Sequence, residues 1–158
     1  MDSPGDRDDG SDLDYEAWRG LLRAVCGQYS PEGVAPGAFE GSVRPVTICG
    51  CDAVDLTCKA HRVERTLRDA RVDSMEHYYA VFQLDGRSTM IQNARVTELA
   101  VGDVALVDSA RPVTYVSENR PGRWLSLHLP RLSLISHFGL EPEGGLCRCG
   151  ASAVQSHS

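Results

Sequence analysis

The chain has 158 residues, of which 42% are hydrophobic and 24% are charged, enough for one packed domain with little room for a second. No apolar run approaches the roughly 20 residues that cross a bilayer, and the acidic start lacks the features of a secretion signal, so the expected location is the cytoplasm with no membrane partner. The net charge of −6 and the single lysine, Lys59, offer no electrostatic footprint for DNA. We therefore expect no direct nucleic-acid binding by this chain alone.

Composition divides the chain into three regions. Residues 1–12 are rich in Asp, Gly and Ser, and we expect a disordered acidic arm. Residues 13–140 carry the apolar patterning of a single folded domain with a helix at each end. In residues 141–158, Pro, Gly, Cys and Ser dominate without periodicity, which predicts an unstructured tail.

The domain begins with a predicted amphipathic helix. Asp14 is a typical N-cap residue. Tyr15, Trp18, Leu22 and Val25 then recur at helical spacing and form one apolar face. Gly27 is suited to end the helix in a left-handed turn.

Short strands follow a loop rich in Pro and Gly. The segment 43–48 predicts a strand in which Pro45 favours an edge position or a break. The segment 54–59 alternates between apolar and polar residues, the period of a half-buried strand, and 78–84 is rich in β-formers. Further strands are predicted at 87–92, 96–99, 104–107, 113–116 and 124–129, separated by turn residues such as Asn93-Ala94. Strands at this spacing predict a barrel or sandwich.

A second helix is predicted at the end of the domain. Pro130 suits a first helical turn, an apolar face follows, and Gly139 can cap the helix. The apolar residues of that face are Leu132, Leu134, Ile135 and Phe138.

Six cysteines raise the question of disulfides or zinc. Without a secretion signal, a disulfide framework is not expected. The pairs Cys49-x-Cys51 and Cys147-x-Cys149 are tighter than the spacing of structural zinc sites. We interpret the cysteines as free thiols.

The order and spacing of several segments resemble the N-terminal domain of AraC/XylS-type transcription regulators. The resemblance covers about residues 15–138, and no single segment is specific by itself. The segments are AHRVERT at 60–66, YY at 78–79, LDGR at 84–87, QNAR at 92–95, LAVGD at 99–103, VDSARP at 107–112 and LHLPR at 127–131.

This resemblance implies a mainly β fold with flanking helices: a cupin-like antiparallel β-barrel of the double-stranded β-helix type. It also implies a small-molecule effector, of which an aromatic acid or amine is an example, and a homodimer. Complete relatives continue into helix-turn-helix units that read the major groove. Since no such pattern follows Phe138, we expect a regulator that lacks its DNA-binding half, through truncation or a break in the reading frame.

The alternative is a small metal-dependent enzyme of the cupin type. Such enzymes resemble one another in a His-x-His pair with a Glu, followed by a later His. Here Val63 stands two residues after His61, and Glu64 points away from His61 on a strand. The remaining candidates, Glu76, His77 and His128, do not match the spacing. We therefore predict no enzyme activity, no metal and no cofactor.

An effector pocket in such a barrel should have apolar walls and a few polar anchors. Aromatic walls are expected from Tyr79 and Trp124. His61, Arg65, Gln83 and Arg111 are the polar candidates, and arginine is well shaped to bind a carboxylate. These six are the predicted ligand-binding residues, although a filled barrel interior gives each of them an ordinary structural role instead.

Overall fold

Alternating apolar residues build two antiparallel sheets in a computed structural model that describes residues 13–73, 77–117 and 121–131. Two helices, α1 (Tyr15–Val25) and α2 (Leu67–Asp73), and a 3-10 turn at Pro36–Ala38 accompany the strands. The strands are β1 (Ser30–Glu32), β2 (Glu40–Ile48), β3 (Cys51–Lys59), β4 (Arg62–Arg65), β5 (His77–Asp85), β6 (Ser88–Gln92), β7 (Arg95–Leu99), β8 (Val104–Asp108), β9 (Val113–Ser117) and β10 (Gly122–Pro130).

Each sheet has five strands. We call the sheet with strand order β2-β3-β10-β5-β8 sheet I, and the one with order β1-β4-β9-β6-β7 sheet II. The two sheets face each other as in a jellyroll. In the described ranges no strand belongs to both sheets, so they do not close into one continuous barrel. The buried residues between them form a single apolar cluster, as packed sheets require.

Helix α1 packs its apolar face into this cluster. Asp14 caps the helix by accepting a hydrogen bond from the Ala17 amide. Trp18 and Leu22 are buried, and the Trp18 indole donates a 2.9 Å hydrogen bond to the Thr57 carbonyl. The helix is thus fixed to β3 by both apolar packing and a directed polar contact.

The structure confirms the fold class, mainly β with flanking helices and a cupin-like double-stranded β-helix. The predicted first helix is confirmed as α1. The predicted strands correspond to β2, β3 and β5 to β10 within a few residues. Pro45 lies in β2, an edge strand of sheet I, where its missing amide proton costs no ladder hydrogen bond.

Three elements were not predicted: β1, β4 and α2. Pro130 was placed in a helix but ends β10, where it pairs with His77; a proline is tolerated at the end of a strand because few ladder bonds depend on it. The predicted arm at 1–12, the rest of the last helix from residue 132 and the tail at 141–158 lie outside the described residues. Among the described helices, none combines the length and the apolar content that crossing a bilayer would demand.

Candidate functional site

The space between the sheets is nearly filled. A cavity of about 40 Å³ remains, room for a few water molecules at most. Helix α1 and aromatic side chains form much of its wall, including Trp18, Leu22, Cys26, Tyr29, Tyr115 and Trp124. Ligand pockets usually measure about 300–1,000 Å³, so this cavity does not admit an effector in the present conformation.

Arg65 is fully buried, and other parts of the chain use all its hydrogen-bonding capacity. Its Nη1 and Nη2 donate to the two Asp73 carboxylate oxygens at 2.6 and 2.7 Å. Nε and Nη2 both donate to the Ser109 carbonyl, and Nη1 also donates to the Gln28 carbonyl. A guanidinium has five N–H groups, so none remains for a ligand carboxylate. Arg65 joins β4, α2, β8 and the loop after α1.

Tyr79 binds the chain just after α1. Its side chain is 1% exposed, and its hydroxyl donates to the Cys26 carbonyl just after α1. Burial, reinforced by the neighbouring Cys26, raises the pKa of Tyr79 far above its ordinary range. Tyr79 is therefore a neutral donor that fixes the end of α1 to β5.

Gln83 and Trp124 meet through Ser88. The Gln83 side-chain carbonyl accepts from the Ser88 hydroxyl at 2.6 Å, and the Gln83 amide donates to the Asp85 carbonyl at 2.7 Å. The Trp124 indole lies 3.5 Å from the Ser88 hydroxyl. Of the six predicted ligand-binding residues, Trp124 is the one placed in the cavity wall.

The two remaining candidates, His61 and Arg111, lie at the surface. The side chain of His61 is exposed and lies against Gly33, where a Cβ would come within 2.6 Å of the His61 Cβ. The Arg111 side chain is 61% exposed and lies 3.5 Å from Asp108. The structure thus brings Arg65 together with Tyr79, and Gln83 with Trp124, but it places His61 and Arg111 away from the cavity.

A larger recess lies where α1 ends over the inner face of sheet I; we call it the helix-end groove. Its volume is about 390 Å³, and its wall includes Ala24 and Val25 from the last turn of α1. Residues of β2, β3 and β10 form the rest: Pro45, Val46, Thr47, Asp52, Ala53, Val54 and His128. The register pairs Pro45 with Val54 and Thr47 with Asp52, which places these side chains side by side.

His128 is the buried polar group of this groove. Residues 124, 126 and 128 of β10 are buried and alternate with more exposed ones, so His128 shares the inner face with Trp124. Only 9% of the residue is exposed, and its Nε2 finds no hydrogen-bond partner among the described residues. A buried polar atom without a partner costs about 1–3 kcal/mol.

His128 belongs to a group of three rings. Its ring centroid lies 4.8 Å from that of Tyr79 and 5.7 Å from that of His77. Burial, together with the neighbouring His77, lowers the pKa of His128 below its ordinary value of 6.5, although the Asp52 carboxylate acts in the opposite direction. His128 is therefore neutral at neutral pH.

Strand alternation could have placed His128 on the inner face from the sequence alone, since residues 124, 126 and 128 are two apart and must share a face. What the sequence does not reveal is that α1 ends over this face.

The described residues supply no metal centre, and their two buried thiols are not activated. No three His, Cys, Asp or Glu side chains in these ranges lie close enough together to hold a metal ion. The cysteines at positions 26, 49, 51 and 58 are free thiols, whereas Cys147 and Cys149 lie outside the described residues. Burial raises the pKa of Cys26 to about 11 and that of Cys58 to about 12, so both remain protonated and unreactive at neutral pH.

Comparison with known proteins relates the chain to transcription regulators. Residues 18–150 match the model of the AraC-binding-like domain family. The AraC-like transcriptional activator CuxR has a similar fold, with a TM-score of 0.64 and 19% sequence identity over 82% of this chain. The match covers 50% of CuxR, so this chain spans about half the length of that activator.

Weaker similarities extend to other cupin domains. The cupin domain of an XRE family transcriptional regulator from Enterobacter cloacae aligns with a TM-score of 0.45 and 16% identity, over 56% of this chain and 95% of that one. An oxalate decarboxylase from Bacillus subtilis aligns with a TM-score of 0.45 and 9% identity, over 82% of this chain and 37% of that one.

Proposed function

Since this chain belongs to the family of AraC-binding-like domains, we propose that it is the effector-sensing and dimerisation domain of an AraC/XylS-type transcription regulator. The family match over residues 18–150 is the observation that carries this assignment. The net charge of −6 provides no footprint for DNA, so the chain's own task is to receive a signal and to pair, not to read a sequence.

The arrangement of α1 supports a sensing role. The helix covers the inner face of sheet I and borders both the cavity and the helix-end groove. A small molecule that binds beside its last turn contacts α1 and sheet I together. Its binding energy then depends on the position of α1, the differential interaction that a conformational switch requires.

Thermal melting with a panel of aromatic acids, amines and sugars tests effector binding. At about one hundred times its dissociation constant, a ligand of the folded state stabilises it by roughly 2.7 kcal/mol. For a chain of this size that raises the melting temperature by about 5–10 °C. If no compound moves the melting temperature at millimolar concentration, the sensor assignment is wrong. Titration of tryptophan fluorescence offers a second readout, because Trp18 and Trp124 both border the cavity.

Pairing is proposed through the segment after β10. The apolar residues Leu132, Leu134, Ile135 and Phe138 stand at positions 132–138, outside the described residues, and such a concentration of apolar side chains favours association wherever it is exposed. Light scattering at tens of micromolar should give the mass of a dimer, and Leu134→Asp should shift it towards the monomer. Val72→Asp, at a position 60% exposed on α2, is the matched control. A monomeric wild-type chain would contradict the proposal.

A further inference from the structure

We propose that the helix-end groove is the effector site of this domain and that it takes a small organic ammonium ion with an apolar body. This assignment rests on the proposed function and adds a location and a chemical class of ligand to it.

Volume favours the groove over the interior. At about 390 Å³ it falls within the usual range of small-molecule sites, whereas the cavity of about 40 Å³ does not. Four of its lining residues, Ala24, Pro45, Thr47 and Asp52, are exposed, so the groove is accessible from solvent.

The charge of the groove selects a cation. Among its described lining residues, Asp52 carries the only formal charge, because His128 is neutral. Arg44 and Arg123 do not compensate for it, since both are bound to Asp55, and Arg23 in the last turn of α1 is not among the lining residues. Asp55 has the opposite parity to Asp52 on β3 and so lies on the other face of the sheet. The groove therefore presents a carboxylate to an incoming ammonium group and repels an anion.

The end of α1 adds to this preference. Ala24 and Val25 belong to the last turn of the helix, where the unpaired carbonyl groups carry partial negative charge. These carbonyl groups and Asp52 favour a cation in the groove, whereas Arg23 of the same turn, which does not line the groove, acts against it.

His128 provides a second polar anchor. Its Nε2 is buried, lacks a partner among the described residues and belongs to a side chain that lines the groove. When the ring carries its proton on Nδ1, Nε2 accepts a hydrogen bond. An ammonium ion has three donors, enough for both Asp52 and His128, whereas a carboxylate has none.

The walls of the groove accommodate the body of the ligand. Val25, Pro45 and Val54 are among its apolar lining residues, and Thr47 adds one hydroxyl. The groove thus combines apolar lining residues with a few polar groups, as small-molecule sites do. A polyamine or a sugar would leave much of the wall without an apolar partner.

Two series of compounds with a constant body and a varied head group test the assignment on the full chain. The first is benzylamine, benzyl alcohol and benzoate, and the second is the corresponding cyclohexylmethyl series. Affinities are measured at pH 7.5 by NMR titration, with the His128 imidazole resonances as reporters. At least one amine should bind saturably, about 10-fold or more tightly than its alcohol and its acid, a factor that equals 1.4 kcal/mol. It should also shift the His128 signals.

The variant Asp52→Asn completes the test. Asp52 is exposed, so the exchange should leave folding intact, and it should weaken amine binding about 10-fold. Glu98→Gln, which removes an exposed carboxylate on β7 of the other sheet, should leave the affinity unchanged.

The assignment is overturned if neither amine binds at millimolar concentration, if an alcohol or acid binds as well as its amine, or if Asp52→Asn has no effect. A different compound that stabilises the chain equally in wild type and Asp52→Asn would overturn the site while leaving the sensor function standing. If no compound of any class binds, both assignments fail.

Discussion

Arg65 keeps its charge inside the protein because every N–H of its guanidinium is hydrogen-bonded. Its ion pair with Asp73 has a side-chain exposure of 0% on the arginine and 8% on the aspartate. Arg123 and Asp55 form an ion pair of the same chemistry at the surface, where 47% of the arginine side chain is exposed. The two pairs allow the effect of burial to be measured within one molecule.

We predict that Arg65→Ala lowers the free energy of unfolding by about 3–5 kcal/mol, because it leaves Asp73 charged and buried. Arg123→Ala should cost less than about 1 kcal/mol, since water screens the exposed pair. Urea denaturation with constant slope measures both. If both variants lost the same free energy of unfolding, Arg65 would not be a structural residue and would again be a candidate ligand contact.

His128 should make the stability depend on pH. Burial and the neighbouring His77 lower its pKa in the folded state below 6.5, whereas in the unfolded chain it titrates at its ordinary value. As the pH falls below 6.5, the unfolded chain takes up a proton before the folded chain does. The free energy of unfolding therefore decreases until the pH reaches the lower pKa of the folded state. Asp55, whose pKa is lowered mainly by its hydrogen bond to Arg123 from an ordinary 3.8, acts only at more acidic pH.

The measurement is the urea midpoint between pH 8 and pH 5 for wild type and His128→Gln. The loss of stability from pH 7 to pH 5 should be smaller in the variant. Identical pH dependence in both proteins would show that His128 does not titrate abnormally.

In the secondary-structure elements, two substitutions in opposite directions, alanine to glycine and glycine to alanine, test the backbone conformation. Asn93 and Ala94 connect β6 to β7 with φ of 55° and 60°, values that suit glycine better than alanine. Gly20 lies in the exposed middle of α1, and a Cβ there meets no atom within 4 Å.

Ala94→Gly should therefore stabilise the protein by about 1 kcal/mol. Gly20→Ala should also stabilise it by about 0.5–1 kcal/mol, because glycine has low helix propensity. Calorimetric melting of the single and double variants checks the two effects, which should add because the sites share no contacts. A lower melting temperature for Ala94→Gly would contradict the assigned turn.

Elements with a strong local signal could be predicted from the sequence. The N-cap Asp14 and the spacing of Trp18 and Leu22 identify α1, and the alternation in 54–59 identifies β3. β1 is only three residues long and contains Pro31, so it depends on pairing with β4. The seven-residue α2 is shorter than a helix that is stable alone; Thr66 and Asp69 cap its start reciprocally, a local signal, and the Arg65–Asp73 ion pair holds its end.

The candidate site could be predicted only in part, because it depends on the whole molecule. The sequence indicates which residues are aromatic or polar, and Trp124 indeed borders the interior. It does not show that α1 fills the space between the sheets, which leaves about 40 Å³ there and moves the larger recess to the end of the helix. Asp52 and Thr47 become site residues only through the pairing of β2 with β3.

The described residues combine a frame of two packed sheets with helix α1, which borders both recesses. Because Tyr79 and Trp18 attach the two ends of α1 to sheet I, a ligand beside the last turn acts on a helix that is already held in place. Binding should therefore stabilise the folded chain and not create its fold.

The central claim is that this domain binds a small-molecule effector. Isothermal titration calorimetry tests it on the purified chain with the compound that raises the melting temperature most. We predict saturable binding with one ligand per chain and a negative change in heat capacity, the signature of apolar surface buried on binding. Heats that never saturate, or a stoichiometry far from one, for every compound in the panel would contradict the claim.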